Sequence, residues 1–143
     1  MTEAALAVHR AFYDAVETGD VDLMASLWVD DPETSCIHPG AIPLRGTAAV
    51  LRSWTVLMAN VGYIQFFLTD VEVASFPADN PTIVLVTCTE NILSGGESSD
   101  EEIFQGGKAV CTSILVRDGS GWKFWSRHAS PVAEFGAPDS EGT

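Results

Sequence analysis

Apolar residues recur with helical spacing in the first part of the chain and with strand alternation in the rest. From Thr2 to Thr18 the positions Ala5, Leu6, Val8, Ala11, Phe12, Ala15 and Val16 fall near the helical period, which predicts a helix ended by Gly19. Asp20 is placed to cap a second, short helix over Val21–Trp28, with Leu23, Met24, Leu27 and Trp28 on its apolar side. Asp30-Asp31-Pro32 closes it, because proline disfavours helical geometry in the residue before it. A short extended piece, Thr34–His38, and the turn-rich Pro39-Gly40-Ala41-Ile42-Pro43 follow. A third amphipathic helix then runs from Thr47 to about Asn60, carried by Val50, Leu51, Trp54, Leu57 and Met58.

Everything after that helix reads as sheet. Ile64–Ala74, Thr82–Leu93, Phe104–Arg117 and Trp122–Ser130 are rich in β-branched and aromatic residues, and turn-forming strings separate them. Three N-terminal helices ahead of four long strands, plus short extended pieces, predict an α+β fold with the helices on one face of an antiparallel sheet. Strands of this length imply a strongly curved sheet, a cone wrapped around the helices. The segment Ser94–Glu102 is expected as a solvated hairpin loop, residues 1–133 as one domain and 134–143 as a flexible acidic tail.

Composition narrows the partners more than the fold. The chain has 143 residues, 46% hydrophobic and 19% charged, which suits a single domain with its own core. Its 7 Lys and Arg against 20 Asp and Glu give a formal charge of −13, which argues against nucleic acid and against docking on anionic lipid. No apolar run is long enough to span a membrane and the N-terminus lacks the features of a secretory signal, so the expected location is cytoplasmic. Cys36, Cys88 and Cys111 are odd in number and widely spaced, which is the pattern of buried reduced thiols.

Several strings in order carry a resemblance. They are Phe12-Tyr13-Asp14-Ala15 with Thr18-Gly19-Asp20, then Trp28, then Cys36-Ile37-His38-Pro39-Gly40, and then Leu44-Arg45-Gly46 before a helix bearing Trp54. The last is Gly121-Trp122-Lys123 followed by Arg127-His128-Ala129-Ser130-Pro131. Together they resemble the SnoaL-like branch of the nuclear transport factor two-like superfamily, over roughly Glu3 to Val132. The resemblance implies a cone-shaped α+β barrel with a pocket at its open end, usually dimerising through the outer sheet face. It also implies no single activity, because such cones host isomerases, dehydratases, cyclases, hydrolases and non-catalytic binding modules.

Candidate chemistry follows from parity and residue type. Strict alternation on the last strand puts Trp122, Phe124, Ser126, His128 and Ser130 on one face, and Lys123, Trp125, Arg127 and Ala129 on the other. If Trp122 and Phe124 face the cone, His128 is the first candidate acid or base, against the alternative of a hydrogen-bonded core histidine. Glu90 sits in an otherwise apolar run, either as a base paired with His128, with His38 as the alternative partner of His128, or facing solvent or a dimer partner near the strand's end. Tyr13 is a candidate donor to a developing oxyanion. The resemblance places Cys36 and His38 near the cone's mouth. With His128 they make a Cys/His/His set of the kind zinc accepts, against a structural turn fixed by the imidazole; no fourth ligand is evident, and no metal or cofactor is expected.

The expected pocket lining is Trp28, Cys36, Trp54, Phe66, Thr112 and Trp122, with ordinary core as the alternative for the aromatics. Lys123, Trp125 and Arg127 are expected as an outer row that forms a homodimer interface. The expected function is binding of a small, largely apolar organic molecule, with isomerase, dehydratase or cyclase chemistry by proton transfer. The alternative is a non-catalytic dimerisation or interaction module whose cavity is filled by its own side chains.

Overall fold

Burial along the first helix follows the stripe its apolar residues mark out. In the computed structural model, which describes residues 2–95, 104–119 and 121–132, α1 (Glu3–Thr18) buries Ala5, His9, Phe12, Tyr13, Ala15 and Val16 on one face. Gly19 ends it in the left-handed region at φ 68°, where its N–H reaches the Val16 carbonyl at 3.4 Å and the Asp20 N–H reaches that of Ala15 at 2.9 Å. Asp20 then starts α2 (Val21–Ser26), its Oδ1 accepting from the Leu23 N–H at 3.0 Å. Asp20→Ala is expected to cost about 1 kcal/mol of stability, read as a lower urea midpoint with an unchanged slope.

The second helix is shorter than its apolar pattern suggests. Leu27 and Trp28 leave it to bond with the sheet: the Phe124 N–H donates to the Leu27 carbonyl at 2.8 Å, and the Val29 N–H to the Phe124 carbonyl at 2.9 Å. After β1 (Ser35–Ile37) and β2 (Leu44–Arg45), α3 (Thr47–Asn60) buries Val50, Trp54 and Met58, one residue per turn.

The remaining strands are β3 (Tyr63–Phe76), β4 (Ile83–Gly95), β5 (Phe104–Asp118) and β6 (Gly121–Pro131). They form an antiparallel meander in an unclosed sheet of six strands ordered β2-β1-β6-β5-β4-β3. One pairing departs from the expected antiparallel pattern: β1 runs parallel to β6, with Cys36 opposite Arg127 and Ile37 opposite His128. The helices cover the concave face, where Phe12, Met24, Val50 and Trp54 pack against Val84, Val86, Leu115 and Phe124.

Two bulges bend the sheet and re-aim its side chains. In β3 the register with β4 shifts between Thr69 and Glu72, and Asp70 takes a positive φ of 55°. In β6, Ser126 lies opposite Ile114 and Phe124 opposite Leu115, so Trp125 is one extra residue. A single added residue reverses the parity of all that follows. Trp122 and Phe124 are buried before the bulge, and Arg127 and Ala129 after it. Strict alternation through β6 is therefore overturned: Arg127 points into the cone and His128 out of it.

No described helix is long and apolar enough to cross a membrane. Of the expected loop Ser94–Glu102, Ser94 and Gly95 extend β4, while 96–102, like the tail 134–143, lies outside the described residues.

Candidate functional site

Glu90 lies on β4 in phase with Val84, Val86 and Cys88, so its carboxylate faces the helices, and it is 1% exposed. Arg127, turned inward by the Trp125 bulge, is 3% exposed and forms an ion pair with it through Nη2 and Oε2. The Tyr13 hydroxyl, brought by α1, donates to the same oxygen at 2.6 Å. Oε1 is left without a partner among the described residues. The guanidinium carbon lies 4.6 Å from the Phe12 ring centre and 5.5 Å from that of Trp54, so two aromatic faces help hold the buried cation.

Burial sets most of the proton affinities here. Burial opposes the charge on Arg127, yet Cys111, Glu90, Tyr13 and Cys36 around it hold the guanidinium more firmly protonated than in water. The Tyr13 phenol is pushed up by burial, so it is a donor throughout the physiological range. Burial also raises the Cys36 and Cys88 thiols and pushes Cys111 up to about 12; all three cysteines are buried, free and inert as nucleophiles at neutral pH. The ring of His9, 4% exposed between Tyr13 and Phe124, is held down to about 4 by burial and then by Arg127. His38 is lowered by the same two causes.

Above the ion pair is a cavity of about 150 Å³. Its apolar walls include Trp54, Leu57, Phe66 and Ile92, and its polar groups are His38, Glu90 and Arg127. A wider depression of about 610 Å³ lies between Phe67 on β3 and Gly106–Lys108 on β5; among the described residues lining it Lys108 alone is charged, whereas the ionisable groups Glu90, Arg127 and His38 line the smaller cavity.

The structure brings together Glu90, Tyr13, His38, Trp54 and Phe66, and separates the rest of the expected set. His128 is exposed on the convex face, opposite Thr112, which is exposed too, so neither is a pocket residue. Glu90 takes Arg127 as its partner in place of His128. Arg127 in turn leaves the expected outer row with Lys123 and Trp125. Trp28 and Trp122 are core: Trp28 stacks on Phe124 with ring centres 5.2 Å apart, and Trp122 lies under the Arg117 guanidinium. Cys36 is fully buried beside Arg127 and Trp54. Among the described residues no three His, Cys, Asp or Glu side chains gather as a metal site.

Comparisons place this geometry in a family. A SnoaL-like domain matches residues 5–134. A candidate dehydratase of the nuclear transport factor two-like family from Streptomyces avermitilis is 44% identical over 93% of this chain and 97% of its own, with a TM-score of 0.83. A candidate calcium/calmodulin-dependent protein kinase type II association domain from Thiobacillus denitrificans is 30% identical over 90% of this chain and 94% of its own, with a TM-score of 0.68. A ketosteroid isomerase-like protein from Erwinia carotovora shares the fold alone, at 14% identity, 92% and 95% coverage and a TM-score of 0.73. Comparison with curated proteins gives no match. A match over nearly the whole chain, on a curved sheet enclosing three helices, means that the protein belongs to the SnoaL-like family of the nuclear transport factor two-like superfamily.

Proposed function

We propose that the protein binds a small, largely apolar organic molecule in the cone cavity and moves a proton on it, as an isomerase, dehydratase or cyclase would. The observation that carries this reading is the cavity of about 150 Å³ ending on Glu90, whose Oε1 is unpartnered while Arg127 and Tyr13 hold Oε2. A carboxylate fixed at one oxygen offers the other as a base in constant orientation, in a pocket otherwise walled by apolar groups. Tyr13 and Arg127 position it, and His38 lines the cavity as a second polar group. The similarity to a candidate dehydratase supports the same class.

Cyclohexanone in D2O tests this directly. The protein is expected to bind it and to speed deuterium uptake at its α-carbons, followed by NMR, and Glu90→Gln is expected to slow that uptake at least about tenfold with little change in affinity. Binding without exchange above the buffer rate removes catalysis and leaves a binding module. No binding at all favours the interaction-module reading, with a cavity filled by its own side chains.

The reading includes a homodimer through the convex sheet face, where Leu85, Val110 and Trp125 are exposed together with Ile83. A second copy of this face is the occupant its apolar character suits. Trp125→Glu is expected to lower the sedimentation coefficient to that of a monomer; an unchanged dimer would place the interface elsewhere.

A further inference from the structure

The cone cavity and a second hollow outside it meet at a single side chain. Glu90, Ile92 and Ser94 share a parity on β4 and lie opposite Leu68, Phe66 and Ile64 of β3, so they make three successive rungs of the concave face. Helix α3 offers Trp54, Leu57 and Asn60, spaced three residues apart and so close to one another along the helix surface. The inner cavity of about 150 Å³ is lined by Trp54 and Leu57 with Glu90 and Ile92. An outer hollow of about 330 Å³ is lined by Leu57, Asn60 and Val61 with Ser94 and Gly95. Among the described residues Leu57 alone lines both.

Leu57 is placed to divide the two spaces. A helical side chain leans toward the N-terminus and covers the turn before its own, so Leu57 lies over the turn that carries Trp54, a wall of the inner cavity. It is half-buried and packed against the core, while Asn60, one turn further out, is exposed at the rim of the hollow. Another hollow, of about 180 Å³, meets the inner cavity across Val16 and Ile64, but Val16 is core at 2% exposure and closes that side. A space of about 150 Å³ is the size that holds benzene, whereas ligand pockets usually measure about 300–1,000 Å³. The room for anything beyond one ring lies past Leu57.

We infer that Leu57 is a specificity-determining residue: it limits the site to a single ring at Glu90 and, once truncated, joins the inner cavity to the outer hollow as a site for a two-ring ligand. In the wild type the second ring of a fused bicycle has to take the place of the Leu57 side chain, and a closely packed wall yields only at a cost. Alanine removes three carbons there. The second ring then buries its apolar surface between the end of α3 and the Ser94 end of β4. This inference rests on the cavity-binding reading above.

Cyclohexanone and 2-decalone, the same cyclic ketone without and with a fused second ring, test this by ligand-observed NMR titration. The wild type is expected to bind the two within about threefold of each other, although the larger has more apolar surface to bury. Leu57→Ala is expected to bind 2-decalone at least about tenfold tighter than the wild type does, while cyclohexanone, having lost a wall, binds no tighter. Leu57→Val, a milder truncation, is expected to move the preference in the same direction by less. Val56→Ala, one residue away on α3 at a side chain 55% exposed, is expected to change neither. A general loosening of the fold would weaken both ketones together and leave their ratio as it is. A wild type that binds 2-decalone tenfold tighter than cyclohexanone, or a Leu57→Ala variant with the wild-type ratio, overturns the partition while the cavity-binding reading stands. If neither ketone binds the wild type or Leu57→Ala, both fail.

Discussion

Arg127→Met is expected to destabilise the fold by about 3–5 kcal/mol, because it strands a buried carboxylate. Glu90 is 1% exposed, and the Tyr13 hydroxyl alone then faces its charge. Glu90→Gln is expected to cost less. Its amide oxygen still accepts from Tyr13, and the guanidinium keeps the ring faces of Phe12 and Trp54, which attract a cation. The double variant, with both charges gone and methionine filling the guanidinium's place, is expected to be more stable than Arg127→Met alone. Replacing a buried pair with apolar groups is often near neutral, whereas breaking one is not. Urea denaturation of the four proteins gives the coupling energy. A loss below about 1 kcal/mol for Arg127→Met would mean that the pair is solvated, and with it the proposed orientation of Glu90 would fail.

How far the site can be read from the chain depends on where a period is interrupted. The stripe on α1, the Val50, Trp54 and Met58 face of α3 and the alternation along β4 are visible because each repeats several times without a break. Glu90 is legible for the same reason, a carboxylate in phase with Val84, Val86 and Cys88. The Trp125 bulge is not, since an inserted residue leaves no mark in composition, and counting from Trp122 places His128 where Arg127 belongs. One signal pointed the right way. A carboxylate on a buried face needs a cation, and of the residues at the end of β6 the one that always carries charge is Arg127, adjacent in sequence to the expected histidine. His9 was hidden differently: on α1 it falls in the buried stripe, but a polar residue type does not announce burial. The parallel pairing of β1 with β6 joins segments far apart in the chain, and nothing local encodes it.

His9→Leu is expected to flatten the acid side of the stability curve. Burial, and after it the charge of Arg127, holds the native imidazole at a pKa of about 4 against an ordinary 6.5, so the ring is neutral in the fold. As pH falls from 6.5 toward 4, the unfolded chain takes up a proton that the native state refuses. Stability therefore rises with pH across this window. It is fully present above it and is lost as the pH drops, by about 3 kcal/mol in total. Leucine keeps an apolar body against Tyr13 and Phe124 and removes an unpartnered Nε2. Carboxylates and His38 contribute equally to both proteins, so the difference between their urea stabilities at about pH 7.5 and about pH 4.5 isolates His9. The wild type is expected to lose more. Parallel losses would mean that the His9 ring reaches solvent. Because Arg127 is the second cause of the depression and Glu90 opposes it, removing only the guanidinium charge is expected to narrow the window. That links the acid sensitivity of the fold to the ion pair at the base of the cavity.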